Sequence, residues 1–480
     1  TSPYVELRGE ARQKDGEKGL SDVEEFRAPL SFSMPLFGEN RATLTVTPES
    51  MSAGTPDANS NPKLGSNSMM TGAVTIQEAV NSMVYQAMDI TSTSYSSQTS
   101  TSSGSNNLAS AINTFYQTYY GHTLSLTGES TDLRTYYNTI KALADLGYFS
   151  AQSYNLTSDR GLQKLVKALA RYGLTSTAMV NRVISQYGST VSIPGSKTQR
   201  DHGVSLDLSL EGQLYKADIG VTPVGKDGTT FVGGVTFRPN LTPHTQLRVT
   251  AERRAMRDSV LSYYGLIDNY SGKYWGGVTR NGGRIELAYD NGFLGAYGNL
   301  AYYRYRGENV KSNSSFSAGL GIYARALREK GEELTVGLDL QYMNFRNNQN
   351  LFSYGYGGYF SPKNYYAAAI PVNYTYHKGN LSAQVSLSMG YQSYTNEAAP
   401  YFPTEDAWQE VLEQLVTYGV VDSAWHEKEH NSGISGSARV KVDYNVNDAF
   451  SLGGTFNYNT FGDYKEFSEM LYFKYLLGVL

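Results

Sequence analysis

The sequence predicts an all-β protein, a sixteen-stranded antiparallel transmembrane β-barrel of an outer membrane with a partly helical extracellular insertion. First, apolar and polar residues alternate strictly in runs of about ten residues, the span of a tilted membrane-crossing strand. Second, the connections between these runs alternate between short and long along the chain. Third, a mean hydropathy of −0.41 and the lack of long apolar stretches exclude a bundle of transmembrane helices.

Composition excludes several classes of protein. A net charge of −4 over 480 residues provides no basic surface for nucleic acid. The chain has no Cys, which excludes a disulfide scaffold and a Cys-ligated zinc site. The 40 tyrosines fit aromatic girdles at the two membrane interfaces, although lumen tyrosines would raise the count equally. The first residues lack the basic start and apolar core of a signal peptide, so we expect a cytosolic protein or a processed fragment.

The chain divides into three tracts. Residues 1–53 and 201–480 share the alternating pattern and are predicted to supply strands 1–3 and strands 4–16. Residues 54–200 differ, because they begin with a tract rich in Ser, Thr, Asn and Met and continue with apolar residues at helical spacing over about 131–187. A structureless loop of this length would be unusual inside a compact domain. We therefore expect a locally folded, partly helical insertion.

The alternation is clearest in three segments. Val204 to Leu210, Leu334 to Leu340 and Leu381 to Met389 each place an apolar residue at every second position. In an extended strand such sets point to opposite faces. A soluble β-sandwich would alternate too, but its strands are typically about five or six residues long. In lipid, only helices or closed barrels pair every backbone donor and acceptor, so the pattern favours a barrel.

The connections indicate the strand count and the orientation. The short ones are 37–40, 211–214, 240–244, 290–293, 328–333, 377–380 and 445–449. The long ones are 15–23, 54–200, 225–230, 259–273, 306–314, 347–364, 395–432 and 460–469. Fifteen connections join sixteen strands, and short turns at one rim with long loops at the other are typical of outer-membrane barrels. Both termini are then periplasmic, and 54–200 follows the third strand on the extracellular side.

The polar phase of the strands should face the lumen. Small residues such as Gly295 and Gly453 on the same phase would keep the wall thin. One interpretation is an ordinary polar barrel interior held together by charge pairs; the other is a wide hydrated duct, since sixteen strands leave an aqueous lumen. Mixed charge suits a neutral polymer such as a polysaccharide better than an anion. The predicted lining residues are Asp218, Arg248, Glu252, Arg284, Glu286, Tyr297, Tyr303, Tyr305, Asp339, Gln341 and Arg439.

One motif carries potential metal chemistry. Residues 426–430 (HEKEH) match both H-E-x-x-H and H-x-x-E-H, in which two histidines on one helix bind zinc and a Glu activates water. Here the motif lies in a predicted loop, residues 431–433 (NSG) would end any helix, and no third ligand is evident. We therefore expect a charged loop without a metal. With no nucleophile elbow or phosphate-binding loop, we predict neither a catalytic nor a cofactor site.

Trp408 marks a second feature of the same long loop. It follows Pro403 and an acidic pair, a sequence that predicts a short helix through about Val416. Trp408 could cap this helix, which would rest in or over the pore mouth. A plain hydrophobic anchor for the helix is the alternative.

Several blocks of sequence resemble the bacterial cellulose synthase operon protein C family. They are Asp218 to Gly225 (DIGVTPVG), Val232 to Gly234, Arg253-Arg254 with Ser259, Trp275 to Val278, Tyr289-Asp290 before Gly292, Gly357 to Pro362 continuing to Val372, and Pro403 to Trp408. The blocks up to Val372 follow one another in order and at family-like spacing over about 202–376, and the Pro403 to Trp408 segment is also similar. The motif positions that carry the resemblance are Arg253, Arg254, Trp275, Tyr359, Pro362 and Trp408.

The resemblance implies a function and partners. It implies a barrel in the bacterial outer membrane, a periplasmic helical-repeat scaffold that precedes it, and export of cellulose or a modified glucan made by an inner-membrane cellulose synthase complex. The chain shows no 34-residue repeat of helical arrays, so we expect the barrel portion alone or a split protein. Residues 54–200 have no family counterpart that we identify.

We therefore expect a non-enzymatic export duct whose partners are the glucan chain and outer-membrane lipid. An exporter of another exopolysaccharide, such as poly-N-acetylglucosamine, is one alternative. An adhesive or partner-binding surface barrel, in which 54–200 is the working part, is another. The lumen separates these functions, because an open channel supports export and a filled lumen supports the adhesin.

Overall fold

A closed β-barrel forms the body of the protein. The computed structural model describes residues 2–66, 196–269, 271–417 and 422–478. Sixteen antiparallel strands each pair with the next in sequence. The last strand pairs with the first, from Tyr4 opposite Leu476 to Lys14 opposite Glu466, which closes the sheet. The predicted sixteen-stranded barrel is therefore confirmed.

The strands are labelled β1 to β16 in chain order. They are Tyr4–Lys14 (β1), Val23–Arg27 continued by Leu30–Pro35 (β2), Arg41–Gly54 (β3), Gln199–Glu211 (β4), Tyr215–Val221 (β5), Phe231–Phe237 (β6), Thr245–Ala255 (β7), Tyr274–Asp290 (β8), Leu294–Glu308 (β9), Asn313–Glu329 (β10), Glu332–Phe345 (β11), Lys363–Lys378 (β12), Leu381–Asn396 (β13), Glu429–Asn445 (β14), Phe450–Asn459 (β15) and Glu466–Leu476 (β16). Within the described residues, two α-helices lie between strands, Val260–Tyr263 (α1) and Asp406–Thr417 (α2). Neither described helix has the length and apolar character needed to cross a membrane. Shorter elements are a 3₁₀ turn at Asn61–Lys63 and strand segments at Asn240–Thr242, Leu266–Ile267, Ala399–Pro400 and Trp425–His426.

The register separates a lipid-facing surface from the lumen. Leu338 of β11 pairs with Ile322 of β10, and both side chains are exposed on the outside of the barrel, by 43% and 60%. The next residue, Asp339, pairs with Gly321 on the inner face. Exposed Leu, Ile, Val and Phe residues continue this outer belt around the wall. A closed sheet with an apolar exterior satisfies the backbone internally and presents hydrocarbon to lipid, so this barrel is transmembrane.

Several predicted connections are shorter than expected, and two of them show why. The long loop predicted over 306–314 is reduced to 309–312, because β9 continues to Glu308 and β10 begins at Asn313. The loop predicted over 395–432 ends earlier, because β14 begins at Glu429. In both places the apolar alternation stops at the membrane boundary while backbone pairing continues beyond it. An apolar pattern alone therefore underestimates extracellular strand length.

The predicted insertion lies largely outside the described residues, so its partly helical character stays a prediction. The chain leaves the extracellular rim at the end of β3 and returns into β4. The two limbs lie side by side, since the hydroxyls of Thr55 and Thr198 are 2.6 Å apart. Ser196 also donates to the side-chain oxygen of Asn61, from its backbone N–H at 3.1 Å and its hydroxyl at 2.5 Å.

Candidate functional site: the lumen and its extracellular cap

The inner wall of the barrel contains the predicted lining residues. The pairing register places all of them at inward positions. They are Asp218 on β5, Arg248 and Glu252 on β7, Arg284 and Glu286 on β8, Tyr297, Tyr303 and Tyr305 on β9, Asp339 and Gln341 on β11, and Arg439 on β14. Whether they contact a polymer stays a prediction.

Charge pairs run along this wall. Arg254 donates to both carboxylate oxygens of Asp218, at 2.5 and 2.6 Å, across Gly234 of β6. The same guanidinium lies 3.2 Å from Glu252. Glu286 is 3.3 Å from Arg284. These pairs neutralise one another, so this part of the lumen wall has a polar surface without a strong field of either sign.

Tyrosines lie flat against the wall in recurring cross-strand rows. Tyr297 of β9 pairs with Gly321 of β10, which pairs with Asp339 of β11, and the Tyr297 hydroxyl donates to Asp339 at 3.1 Å. A Cβ on Gly321 would overlap the Tyr297 ring, so the ring lies over the glycine and turns its other face to the lumen. Further rows of the same kind are Tyr323–Gly295–Asp290 (2.6 Å) and Tyr472–Gly453–Asp443 (2.5 Å). The Tyr303 hydroxyl donates to Glu252 at 2.8 Å in the same register, across Gly282.

Sequence reasoning missed Tyr323 and Tyr472. Gly295 and Gly453 point to them in the sequence, because each of these glycines leaves the space that one of the two rings occupies. Each row joins residues on three strands, so it becomes visible only when the register is known. Tyr297, Tyr323 and Tyr472 are half-buried and lie towards the periplasmic ends of their strands, where they remain accessible from the lumen.

Tyr303 and Tyr305 have a different setting, near the extracellular end of β9. They are only 7% and 5% exposed. The Tyr305 ring is stacked 5.2 Å from that of Tyr359, which belongs to the loop between β11 and β12. Phe345 packs 5.1 Å from Tyr305. A solute in the lumen therefore reaches Tyr297 but not Tyr305 while this loop stays in place.

The β7–β8 loop (256–273) crosses the lumen. Arg12 and Lys14 of β1 donate to the backbone oxygens of Arg257 and Asp258, each at 2.5 Å. Tyr263 of α1 donates to Glu49 of β3, and Arg257 forms an ion pair with Glu25 of β2. Strands β1 to β3 lie well away from β7 around the ring, so the loop reaches them by passing over the lumen.

Two further loops meet this one. The hydroxyl of Ser259 donates to the Gly358 oxygen of the β11–β12 loop (346–362) at 2.6 Å. The backbone N–H of Phe360 donates to the Asp258 carboxylate at 3.0 Å. The β13–β14 loop (397–428) carries α2 and joins through Trp408. We call these three loops the cap, because together they cover the extracellular end of the lumen.

Aromatic side chains hold the cap together. The Tyr354 ring lies between Trp275, at 5.5 Å, and Trp408, at 5.2 Å. Trp408 is 1% exposed, and the Lys273 ammonium lies 5.1 Å from its ring. The predicted helix at Trp408 is confirmed as α2. Its tryptophan is a hydrophobic anchor, the alternative kept open by the sequence.

The family-motif positions fall into three places. Trp275, Tyr359, Pro362 and Trp408 are all buried in the cap or at its junction with the wall. Arg254 lies in the lumen. Arg253 faces outward from β7, where its guanidinium donates to the Phe231 oxygen at 2.8 Å.

The two histidines of the HEKEH motif lie on different elements. His426 is in the short strand segment Trp425–His426 and stacks on Tyr401 at 4.6 Å, while its Nε2 lies 3.0 Å from the hydroxyl of Ser353. His430 belongs to β14 and its Nδ1 lies 3.0 Å from the Thr395 hydroxyl. Across the described residues, no group of three or more His, Asp or Glu side chains could hold a metal. Burial, with a smaller contribution from Lys63, lowers the pKa of His426 to about 4.

Comparison with known proteins gives the family. The sequence profile described as "Cellulose synthase operon protein C C-terminus" matches residues 132–478. The chain belongs to this family. A cellulose synthase operon protein C of Xanthomonas axonopodis pv. citri (strain 306) is 29% identical over 98% of this chain and 33% of its own length. One of Pseudomonas fluorescens (strain SBW25) is 33% identical over 61% of this chain and 22% of its own. The chain thus spans a third or less of the length of these family members.

The profile match corrects one expectation from the sequence. It begins at residue 132, so the expectation that all of 54–200 lacks a family counterpart is wrong.

Solved structures also align with this chain. A structure described as a bacterial polysaccharide outer membrane secretin covers 99% of this chain and 98% of its own, with 7% identity and a TM-score of 0.46. OprD from Pseudomonas aeruginosa covers 99% of this chain and 93% of its own, with 9% identity and a TM-score of 0.32.

Proposed function

We propose that this barrel is a non-enzymatic channel in the bacterial outer membrane through which cellulose, or a modified form of it, leaves the cell. The observation that carries the proposal is the inner wall, in which tyrosine rings lie flat across glycines beside mutually neutralised charges. Family membership favours cellulose over poly-N-acetylglucosamine as the exported polymer. The wall would give such a chain weak, repeated contacts along its path.

A glucan is uncharged, with apolar C–H faces and a polar rim of hydroxyls. The free faces of Tyr297, Tyr323 and Tyr472 would contact the C–H faces, as aromatic rings do with apolar surfaces. Paired carboxylates and guanidiniums beside them would exchange hydrogen bonds with the hydroxyls. Because Asp218, Glu286 and Asp290 each already have an arginine partner, these positions would not hold the polymer tightly enough to stop its movement.

The energy for movement would come from behind the chain. The outer membrane offers no nucleotide, so polymerisation by an inner-membrane cellulose synthase complex would push the glucan outward. The family members matched are at least about three times as long as this chain. A periplasmic helical-repeat scaffold that guides the polymer to the barrel is the partner we propose for the short-turn rim.

The cap favours a second candidate, a surface barrel that binds partners, because it covers the lumen. Its loops are joined mainly by side-chain contacts such as Ser259 to Gly358 and the stack around Tyr354. Such contacts can separate without breaking the wall. Export therefore requires the cap to open, whereas a binding barrel does not.

The decisive experiment locks the cap. The chain has no native cysteine, so Asp258→Cys with Phe360→Cys places one reactive pair between two cap loops. Cells lacking the gene would be complemented with this variant and stained for surface cellulose, with each single-cysteine variant as a control. We expect a short bifunctional thiol-reactive cross-linker, such as a bismaleimide, to abolish surface cellulose only in the double variant. Undiminished cellulose from a fully cross-linked barrel would overturn export through the lumen.

A further inference from the structure

A row of arginines runs along the outside of the barrel near its extracellular rim. Arg253 of β7 pairs with Asn281 of β8, which pairs with Arg304 of β9, which pairs with Ser314 of β10. The Arg346 N–H, just beyond β11, donates to the Ser314 oxygen at 2.9 Å and continues the row. Strands are about 4.8 Å apart, so successive arginines lie about 10 Å from one another.

These arginines face away from the lumen. Their neighbours Glu252 and Arg254 point inward, and Tyr302, two residues before Arg304, is 49% exposed on the lipid side. All three arginines of the row are exposed. Within the described ranges, no carboxylate forms an ion pair with Arg253, Arg304 or Arg346, unlike Arg254, Arg280 and Arg284 of the lumen wall.

An aromatic band lies directly below the row. Tyr302 of β9 precedes Arg304, and Phe316, Tyr342 and Tyr366 continue the band across β10, β11 and β12. The rings of Tyr342 and Tyr366 are 5.2 Å apart, and those of Phe316 and Tyr342 are 6.4 Å apart. Such a band marks the level of lipid headgroups. The guanidiniums therefore lie at and above the outer-leaflet headgroups.

Apolar grooves extend below the aromatic band. One of about 840 Å³ has small residues on its floor, including Gly298 and Ala318, between ridges formed by Leu300 and Leu338. A second of about 370 Å³ adjoins it through Ala318 and reaches Tyr366. Both open to the hydrocarbon of the membrane, so acyl chains are their natural occupants.

We propose that this face binds a phosphorylated, multiply acylated glycolipid of the outer leaflet. Its phosphates would accept hydrogen bonds from the arginine row, since guanidinium matches phosphate in a bidentate fashion. Its acyl chains would fill the grooves. A zwitterionic phospholipid carries its own compensating amine, and free phosphate has nothing to place in the grooves. The site is independent of polymer export, because it lies on the opposite face of the wall.

The test is native mass spectrometry of the purified barrel with added bisphosphorylated lipid A. The variant combines Arg253→Gln, Arg304→Gln and Arg346→Gln. The matched control removes the same charge at the periplasmic rim with Arg328→Gln, Lys330→Gln and Lys378→Gln. A change in electrophoretic migration between unheated and heated samples confirms that each barrel is assembled. We expect wild type and control to retain the lipid and the arginine variant to lose at least about tenfold in affinity.

Further binding measurements show whether the barrel recognises the intact lipid or only a phosphate. Lipid A with its phosphates removed should bind at least about tenfold more weakly to wild type, and inorganic phosphate should not displace the intact lipid. Ala318→Phe, which fills a groove but keeps every arginine, should also weaken binding. Equal retention by the arginine variant would overturn the proposal. So would equal binding of the dephosphorylated lipid, or displacement by inorganic phosphate.

Discussion

At the scale of single residues, one step along a strand exchanges lipid for water. Leu340 is 46% exposed on the outer belt, while Gln341 faces the lumen and donates to Asp339 at 3.2 Å. The same substitution at these two positions therefore meets opposite environments. This contrast tests the assignment of inner and outer faces directly.

Leu340→Arg should cost about 1–3 kcal/mol of barrel stability, because it places a charge in hydrocarbon between the headgroup level of Tyr342 and the bilayer midplane. Gln341→Arg should fold nearly as well as wild type, since water and the Asp339 carboxylate surround the new guanidinium. Reversible urea unfolding in lipid vesicles measures both. Equal stability of the two variants would contradict the assigned faces.

His426 should make the cap sensitive to pH. Burial lowers its pKa to about 4, whereas in an opened cap it titrates near its ordinary value of 6.5. The open form thus binds a proton that the closed form excludes. Closed-cap stability is therefore complete above about pH 6.5 and declines as the pH falls towards about 4.

The chain's tryptophans provide the measurement. Trp275, Trp408 and Trp425 all lie in or beside the cap, so quenching of their fluorescence by acrylamide reports its opening. We expect quenching to increase from pH 7 to 4 in wild type and to change less in His426→Gln. Buried Asp463, whose pKa is raised to about 6, acts in the opposite direction but is common to both proteins. Identical pH profiles would exclude His426 as the cause.

At the scale of structural elements, the tyrosine rows combine a wall contact with the surface that we propose for the polymer. Tyr297→Ala, Tyr323→Ala and Tyr472→Ala together should reduce cellulose export while the barrel still assembles. The matching triple Phe variant keeps the rings and loses only the hydrogen bonds to carboxylates, so its export should remain near wild type. Surface cellulose at equal protein level measures both. Equal export by the Ala and Phe variants would leave these rings a structural role only.

Local patterns and pairings between distant strands differ in how well the sequence predicts them. The inward position of Asp339 follows from alternation along one strand, so sequence alone predicts it. The row from Tyr297 through Gly321 to Asp339 needs the register of three strands. Trp275 and Trp408 were recognised as motif positions, but their shared contact with Tyr354 depends on how two loops fold over the lumen. Side-chain alternation encodes faces, whereas loop packing depends on contacts far apart in sequence.

At the scale of the whole molecule, the barrel joins an accessible periplasmic half to a capped extracellular end. The limbs of the predicted insertion belong to this end. Gly65 bridges Ser353 of one cap loop, and the hydroxyl of Ser66 donates to Asp268 of another at 2.7 Å. The tract therefore departs from the cap itself. From this position we predict that residues 54–200 narrow or guide the exit.

Replacing 67–195 by a short Gly/Ser linker should preserve the barrel, because the Thr55–Thr198 and Asn61–Ser196 contacts hold the limbs together. We expect small-solute conductance in planar bilayers to rise above that of the full chain. Replacing all of 55–200 should raise it further, since the contacts of Gly65 and Ser66 with the cap are then also lost. Unchanged conductance in both variants would mean that the tract stands clear of the pore, and would favour a surface-binding role for it.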